Sequence, residues 1–330
     1  MPRPLLLFTG PWADLCIEEV AGRATEWGYS GLDLCTWGDH FEVQRAASED
    51  DYTPTKLEML RRYGLDAPVL SAHRVSQAVC DLVDERHRAL VPDYVWGDGS
   101  PSGVQARATE ELIATVAAAQ QLGAAVVAGF TGSPIWSFVC GVPSPSAARV
   151  QNALRDFVHR FGPILEACRN AGIRYACEVH PGQLAYDYYS AEMLLDTLDG
   201  HSEFGFLFDP THLHWQGIDP VAFIRRFGER IYHVHVKDLA LTLDGRSGLL
   251  GSYLPYHDAR RGWHPRSPGR GGLDWEGIVR ALNAVGYEGA FSVEWSDPGM
   301  DRFQGAAEAC HFVKRLDFEP APRKDGGAFR

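Results

Sequence analysis

The sequence predicts a parallel α/β fold, a (β/α)8 TIM barrel with long loops on its carboxyl-terminal face. Three observations point there. Eight short apolar runs alternate with longer amphipathic stretches along the chain, the pattern of parallel strands joined by helical crossovers. Runs of five or six apolar residues suit strands covered on both faces. Four of the runs each end on a carboxylate or an imidazole: IRYACE at Glu178, FGFLFD at Asp209, IYHVH at His235 and GAFSVE at Glu294. A polar group closing an apolar run marks the carboxyl edge of a sheet, where barrels build their sites. A doubly wound open sheet is the alternative, but no GxGxxG follows the first strand.

In chain order, LLLF (5–8) leads to a helix over about 15–27, and GLDLC (31–35) to one near 54–63. PVLSAH (68–73) is followed by a helix over 104–122, and AAVVAGF (124–130) by one over 147–170. The fifth run, 173–178, precedes a segment at 190–198; the sixth, 204–209, precedes DPVAFIRRFG (219–228). The seventh, 231–235, leads to DWEGIVRALNAVG (274–286), and the eighth, 289–294, to a last helix over about 301–316. Asp219-Pro220 and Asp274 supply helix caps, with a first-turn proline in the former. Gly28, Gly123, Gly172 and Gly286 mark helix ends. The connections 36–53, 74–103 and 239–272 are long and all follow strand carboxyl ends. Long loops in a compact domain are usually functional. Their content, including Trp37, Trp96, Tyr253, Tyr256, His257, Trp263 and His264, predicts an ordered lid. Residues 1–318 read as one barrel domain and 319–330 as a loose C-terminal tail.

Length and composition fit that reading. A barrel needs about 250 residues, more with insertions, and the chain has 330. Hydrophobic content of 45% and charged content of 22% are those of an ordinary globular protein. The net charge of −12 argues against a nucleic-acid partner, since phosphate binding rests on clustered Lys and Arg. The one dense basic stretch, Arg260, Arg261, Arg266 and Arg270, is interleaved with Gly and Pro and reads as a solvated or substrate-facing loop. Seven cysteines without a CxxC spacing indicate neither a disulfide framework nor a thiolate metal site. The N-terminal apolar stretch is too short for a signal peptide, and no segment approaches a membrane span. A cytoplasmic protein is the default expectation. Nothing in the sequence excludes a homo-oligomer or a companion subunit.

The strand ends carry the chemistry. Side chains alternate faces along a strand, so Glu178 shares its face with Ala176 and His180, Asp209 with Leu207, Glu294 with Ser292, and His235 with His233 and Lys237. Inside a barrel, Glu178, Asp209, His235 and Glu294 would then stand at about one level. Three carboxylates and an imidazole repel one another there unless a cation holds them. Such oxygen and nitrogen donors suit one divalent metal, Mn²⁺ first, with Mg²⁺, Co²⁺ or Zn²⁺ as alternatives.

FDPTHL, HVHVKD, CEVHPG, SVEWSD and RGGLDWEGIVRALNAVGYEGAFSVE together resemble the xylose isomerase-like TIM-barrel superfamily. That group includes sugar-phosphate isomerases and epimerases, inosose dehydratase and the family 2 apurinic endonucleases. The resemblance covers about 5–316 and implies that Glu178, Asp209, His235 and Glu294 bind one catalytic cation, with a small sugar as substrate. Within HVHVKD the second histidine matches the ligand, which leaves His233 as a satisfied core group or a partner supporting the ligands. His73 matches a position where relatives place a site histidine. His212, three residues after Asp209, is a candidate to contact substrate or to brace a ligand, and in the endonucleases that position ligates extra zinc. His180, Lys237, Trp136 and His257 are further substrate-contacting candidates, and Arg74, Trp96 and Asp98 follow from lid position alone. The expected chemistry is proton abstraction beside a carbonyl by Glu178 or Glu294, with His73 nearby, giving isomerisation or epimerisation. β-Elimination from a 3-oxo-glycoside, C-glycoside cleavage included, or an inosose-type dehydration is the alternative outcome of the same site. DNA repair would need a basic face and further ligands, which Gln44, Gln77 and Gln105 do not supply.

Overall fold

The computed structural model describes residues 3–256 and 258–320. Among these the strands are β1 (Leu5–Phe8), β2 (Gly31–Cys35), β3 (Asp66–Ser71), β4 (Val126–Gly129), β5 (Arg174–Glu178), β6 (Phe204–Phe208), β7 (Ile231–Val236), β8 (Asp238–Leu241), β9 (Trp263–Arg266) and β10 (Phe291–Val293). The helices are α1 (Ile17–Trp27), α2 (Val43–Ser48), α3 (Tyr52–Arg62), α4 (His73–Cys80), α5 (Asp93–Trp96), α6 (Pro101–Leu122), α7 (Ala147–Ala171), α8 (Tyr188–Thr197), α9 (Pro210–His214), α10 (Pro220–Phe227), α11 (Trp275–Ala284) and α12 (Arg302–Leu316). Eight strands close into a barrel in the order β1-β10-β7-β6-β5-β4-β3-β2, and every adjacent pair is parallel. The eight apolar runs supply these eight strands.

The barrel interior is layered. Leu6, Val69, Val126, Ala128, Ala176, Leu207 and Tyr232 fill the lower part with apolar side chains. Asp33, Ser71, His233 and Ser292, all buried, lie above them as a polar layer. Glu178, Asp209, His235 and Glu294 come next, at the carboxyl ends. The outer faces of the strands and the helices form the larger core, in which Phe204, Phe206, Phe208, Phe223 and Phe227 are almost fully buried. Packing in the lower layer is tight at Gly205 of β6, where an added Cβ would run into the Arg230 carbonyl oxygen and the Tyr232 ring. Gly205→Ala is therefore expected to lower unfolding stability by about 1–3 kcal/mol, the usual penalty of overpacking. Urea denaturation measures it.

Helix ends follow the local chemistry. Asp219 caps α10 through Val221 N at 2.8 Å and Asp274 caps α11 through Gly277 N at 2.9 Å. α1, α6 and α7 each end on a glycine in the left-handed region, Gly28, Gly123 and Gly172.

Three expectations need correction. The connections 36–53 and 74–103 are not simple loops: the first holds α2, and the second holds α4, a 3-10 turn at Glu85–Ala89 and α5. These helices are at most eight residues long, too short for periodicity to separate them from loop. Segment 239–272 folds back as an antiparallel ribbon of β8 and β9, pairing Leu239 with Pro265 and Leu241 with Trp263. α6 also begins at Pro101, three residues before the expected start, because proline is favoured in the first turn. Most of the expected tail lies outside the described residues.

Candidate active site

The four strand-end residues come from neighbouring strands. In barrel order β5, β6, β7 and β10 are adjacent, so Glu178, Asp209, His235 and Glu294 form an arc with the glutamates at its ends. One donor atom from each lies within 4.8 Å of every other. Asp209 owes its pose to the turn that follows. It caps α9, its Oδ1 accepting from Thr211 N at 2.8 Å and Thr211 Oγ1 at 2.6 Å. Oδ2 is left buried without a hydrogen bond.

Three of the softer candidates join this centre. His212 Nε2 lies 3.1 Å from Glu178 Oε1 and 3.2 Å from Asp209 Oδ2. His73 Nε2 lies 3.1 Å from Glu178 Oε2. These approaches are ion-pair close, yet neither His73 nitrogen, nor His212 Nε2, nor Asp209 Oδ2 makes a directed hydrogen bond. Lys237 Nζ donates to Glu294 Oε1 at 2.6 Å and stands 3.7 Å from Asp209 Oδ2. His180 stands behind His212, ring centroids 3.9 Å apart, with its Nδ1 against the Pro181 carbonyl.

Other candidates fall elsewhere. Trp136 packs edge-on against Tyr186, centroids 5.2 Å apart. Arg74 lies over the Trp37 ring at 4.8 Å. Asp98 binds Ser100 and Arg107 and so braces the start of α6, while Trp96 packs against the outer core. His257 lies outside the described residues. The ribbon is anchored by Trp263, stacked on Trp215 at 5.2 Å with an interplanar angle of 15°.

One residue of the site was not anticipated. Asp33, in the middle of β2, is fully buried and accepts from Ser71 Oγ at 2.6 Å, from His233 Nε2 at 2.9 Å and from Ser292 Oγ at 3.1 Å. His235 Nε2 also reaches it, at 3.2 Å, while Nδ1 of the same ring faces Glu294 Oε2 at 3.0 Å. The signal was present: GLDLC places a carboxylate inside an apolar run, which burial forbids without partners.

Electrostatics bind these groups together. Burial opposes ionisation of Glu178, but His212 and His73 outweigh it and hold the carboxyl well below its ordinary range. The same contest lowers Asp209, where His212 and Lys237 prevail, and Glu294, where Lys237 and His235 do. Burial disfavours charge on His212 too, yet Asp209 and Glu178 hold it up to about 9. Asp33 and Glu294 likewise overcome burial at His235 and raise it to about 10. His180, buried beside His212, is pushed down to about 4.

This donor set fits a divalent cation. Three ionised carboxylates and an imidazole match hard or borderline metals, and Asp209 Oδ2 points into the centre with no hydrogen bond of its own. Metal ligation requires unprotonated nitrogen. His235, raised to about 10, carries a second ring proton at neutral pH and must lose one of the two to ligate, whereas the carboxylates are already ionised. Apparent affinity for Mn²⁺ should then rise from pH 6 to pH 8 by about tenfold per pH unit for each proton displaced. Calorimetric titrations in two buffers of different ionisation enthalpy should show the proton release. An affinity flat across that range would count against His235 as a ligand.

Comparison with known proteins places the chain. The profile of the xylose isomerase-like TIM barrel family matches residues 21–316. The chain belongs to this family. Among its relatives, inosose dehydratase of Clostridium beijerinckii is 28% identical to this xylose isomerase-like barrel over 163 residues, 49% of the chain and 53% of that enzyme. The chain thus spans only about half the length of such curated relatives, and about a third of an uncharacterised Bacillus subtilis protein that is 33% identical over 115 residues. In solved structures the likeness is one of fold. 3-Keto-D-glucoside 4-epimerase of E. coli aligns with TM-score 0.67 and 12% identity, covering 95% of this chain and 99% of that one. The IOLI protein, solved with a bound zinc atom, aligns with TM-score 0.63 and 16% identity, covering 96% of each. Among the described residues of this barrel no helix is long and apolar enough to cross a membrane.

Proposed function

We propose that the chain is a divalent-cation-dependent isomerase or epimerase of a keto-sugar or related polyol, moving a proton on a carbon beside a carbonyl. The observation that supports this best is the position of Glu178 and Glu294 at the two ends of one arc of donors, both held ionised. A cation held by Glu178, Asp209, His235 and Glu294, with Mn²⁺ the first choice for so oxygen-rich a set, would supply Lewis acidity towards a substrate carbonyl and its neighbouring hydroxyl.

The chain's own residues do the rest. One glutamate takes the proton and the other stands across the centre to return it, the arrangement that inverts a stereocentre. Return at the neighbouring carbon gives aldose–ketose interconversion instead. Lys237, donating to Glu294, keeps that carboxylate ionised and aimed. His73 and His212 flank Glu178, and the buried Nδ1 of His73, without a partner, is free to meet a substrate hydroxyl. The ribbon on Trp215 lies after β7 at the same carboxyl end and would limit water there.

A second reading, elimination from a 3-oxo-glycoside or an inosose, uses the same proton abstraction. The likeness to inosose dehydratase favours it. So does a cavity of about 240 Å³ beside His73, lined by Arg74, Gln77, Leu90 and Phe130, which offers room for a substituent. NMR of products formed in D₂O from free ketohexoses and 3-oxo-glucosides separates the two. Deuterium at a stereocentre without release supports epimerisation, and aglycone or water loss supports elimination. No exchange with any of them would defeat both.

A further inference from the structure

We infer that Asp33 is a positioning residue for the cation site: it keeps a proton on His235 Nε2 and so presents Nδ1 to the centre. The inference rests on the reading of Glu178, Asp209, His235 and Glu294 as cation ligands. Its support is geometric. An ionised carboxylate only accepts hydrogen bonds, so each atom that meets Asp33 must donate. Nε2 of His235, 3.2 Å from Oδ2, therefore carries hydrogen. Nδ1, which faces the ionised Glu294 at 3.0 Å, carries the other ring proton, and that proton, on the side of the centre, is the one a cation would displace.

The carboxylate itself cannot swing. Ser71 Oγ of β3 holds Oδ1 at 2.6 Å, and Ser292 Oγ of β10 holds Oδ2 at 3.1 Å. His233 Nε2, one layer below His235 on β7, donates to Oδ2 at 2.9 Å. Phe8 packs against the His235 ring, centroids 5.0 Å apart. One buried anion on β2 thus ties β3, β7 and β10 together under the centre and fixes the ring of the imidazole in that ligand set. Partners of this kind orient metal-bound histidines, and losing one typically costs 10–100-fold in metal affinity.

The test is Mn²⁺ and Zn²⁺ titration by calorimetry into the full chain and into Asp33→Asn, with ¹⁵N NMR of the histidine rings. An amide of the same size has no charge, and wherever its nitrogen faces the imidazole it offers a donor in place of an acceptor. We expect about 10–100-fold weaker binding and loss of the Nε2–H form of His235. Ser71→Ala and Ser292→Ala, which loosen the carboxylate without removing it, should weaken binding severalfold, and they carry the question if Asp33→Asn does not fold. Wild-type affinity in all three variants, with only a lower melting temperature, overturns the inference alone and leaves Asp33 as a strand cross-link. A wild-type chain that takes up neither cation overturns the reading of the ligands and this inference with it.

Discussion

Glu178→Gln should abolish hydrogen exchange between substrate and solvent, lowering its rate by at least about 10³-fold. A positioned general base contributes about 10²–10⁴-fold by itself, and this residue also offers a donor atom to the candidate cation site. The amide is nearly isosteric, so the barrel should remain folded, although His73 and His212 lose the carboxylate that faces both. Glu294→Gln should be as damaging, because it removes the negative charge and the proton acceptor that face Lys237 at 2.6 Å. Asp209→Asn offers a contrast. Its Oδ2 faces the centre while Oδ1 is engaged by Thr211, so the main effect should be weaker cation binding, recovered in part at high metal concentration. Exchange followed by NMR in D₂O, at several Mn²⁺ concentrations, distinguishes the two kinds of loss. If Glu178→Gln exchanges at the wild-type rate, the proton-transfer role assigned to that carboxylate is wrong.

Phe223→Ala should cost about 3–5 kcal/mol of unfolding stability, the range found for buried Phe-to-Ala changes. Phe223 is fully buried and joins α10 to the barrel wall. Its ring lies 5.7 Å from Phe206 and 6.1 Å from Phe208 on β6, and 4.5 Å from Phe227 one helical turn along. The surrounding rings cannot close over the void without moving a strand, so the cavity term adds to the lost transfer energy. The effect reaches function only indirectly, since β6 also carries Asp209 at its end. Guanidinium denaturation measures the loss. A change below about 1 kcal/mol would mean that the wall repacks far more freely than close-packed interiors do.

The strands were legible because burial on both faces writes itself as an unbroken apolar run, as in FGFLF and IYHVHV. The ends were legible too. A charge that closes such a run at Glu178, Asp209 or Glu294 has few places to go except the rim of the sheet. The short helices α2, α4 and α5 were not, because one or two turns carry too few apolar positions to define a period. The β8–β9 ribbon stayed hidden for a different reason. Its partner strands are more than twenty residues apart and pair through backbone hydrogen bonds, which residue type does not encode. Asp98 and Trp96 were singled out from lid position, yet local partners hold them at the base of α6 and in the outer core.

By itself, then, the amino-acid order determined the parallel barrel, its closing helices and the four polar strand ends, since each depends on local pattern and on the period of a strand or helix. Only the closed tertiary structure decided which groups meet. It set His73 and His212 against Glu178, Lys237 against Glu294, and Asp33 beneath His235, 202 positions away in the chain. Those contacts arise from barrel closure and strand register, which bring side chains from distant runs to one level where low dielectric makes each charge depend on its partners.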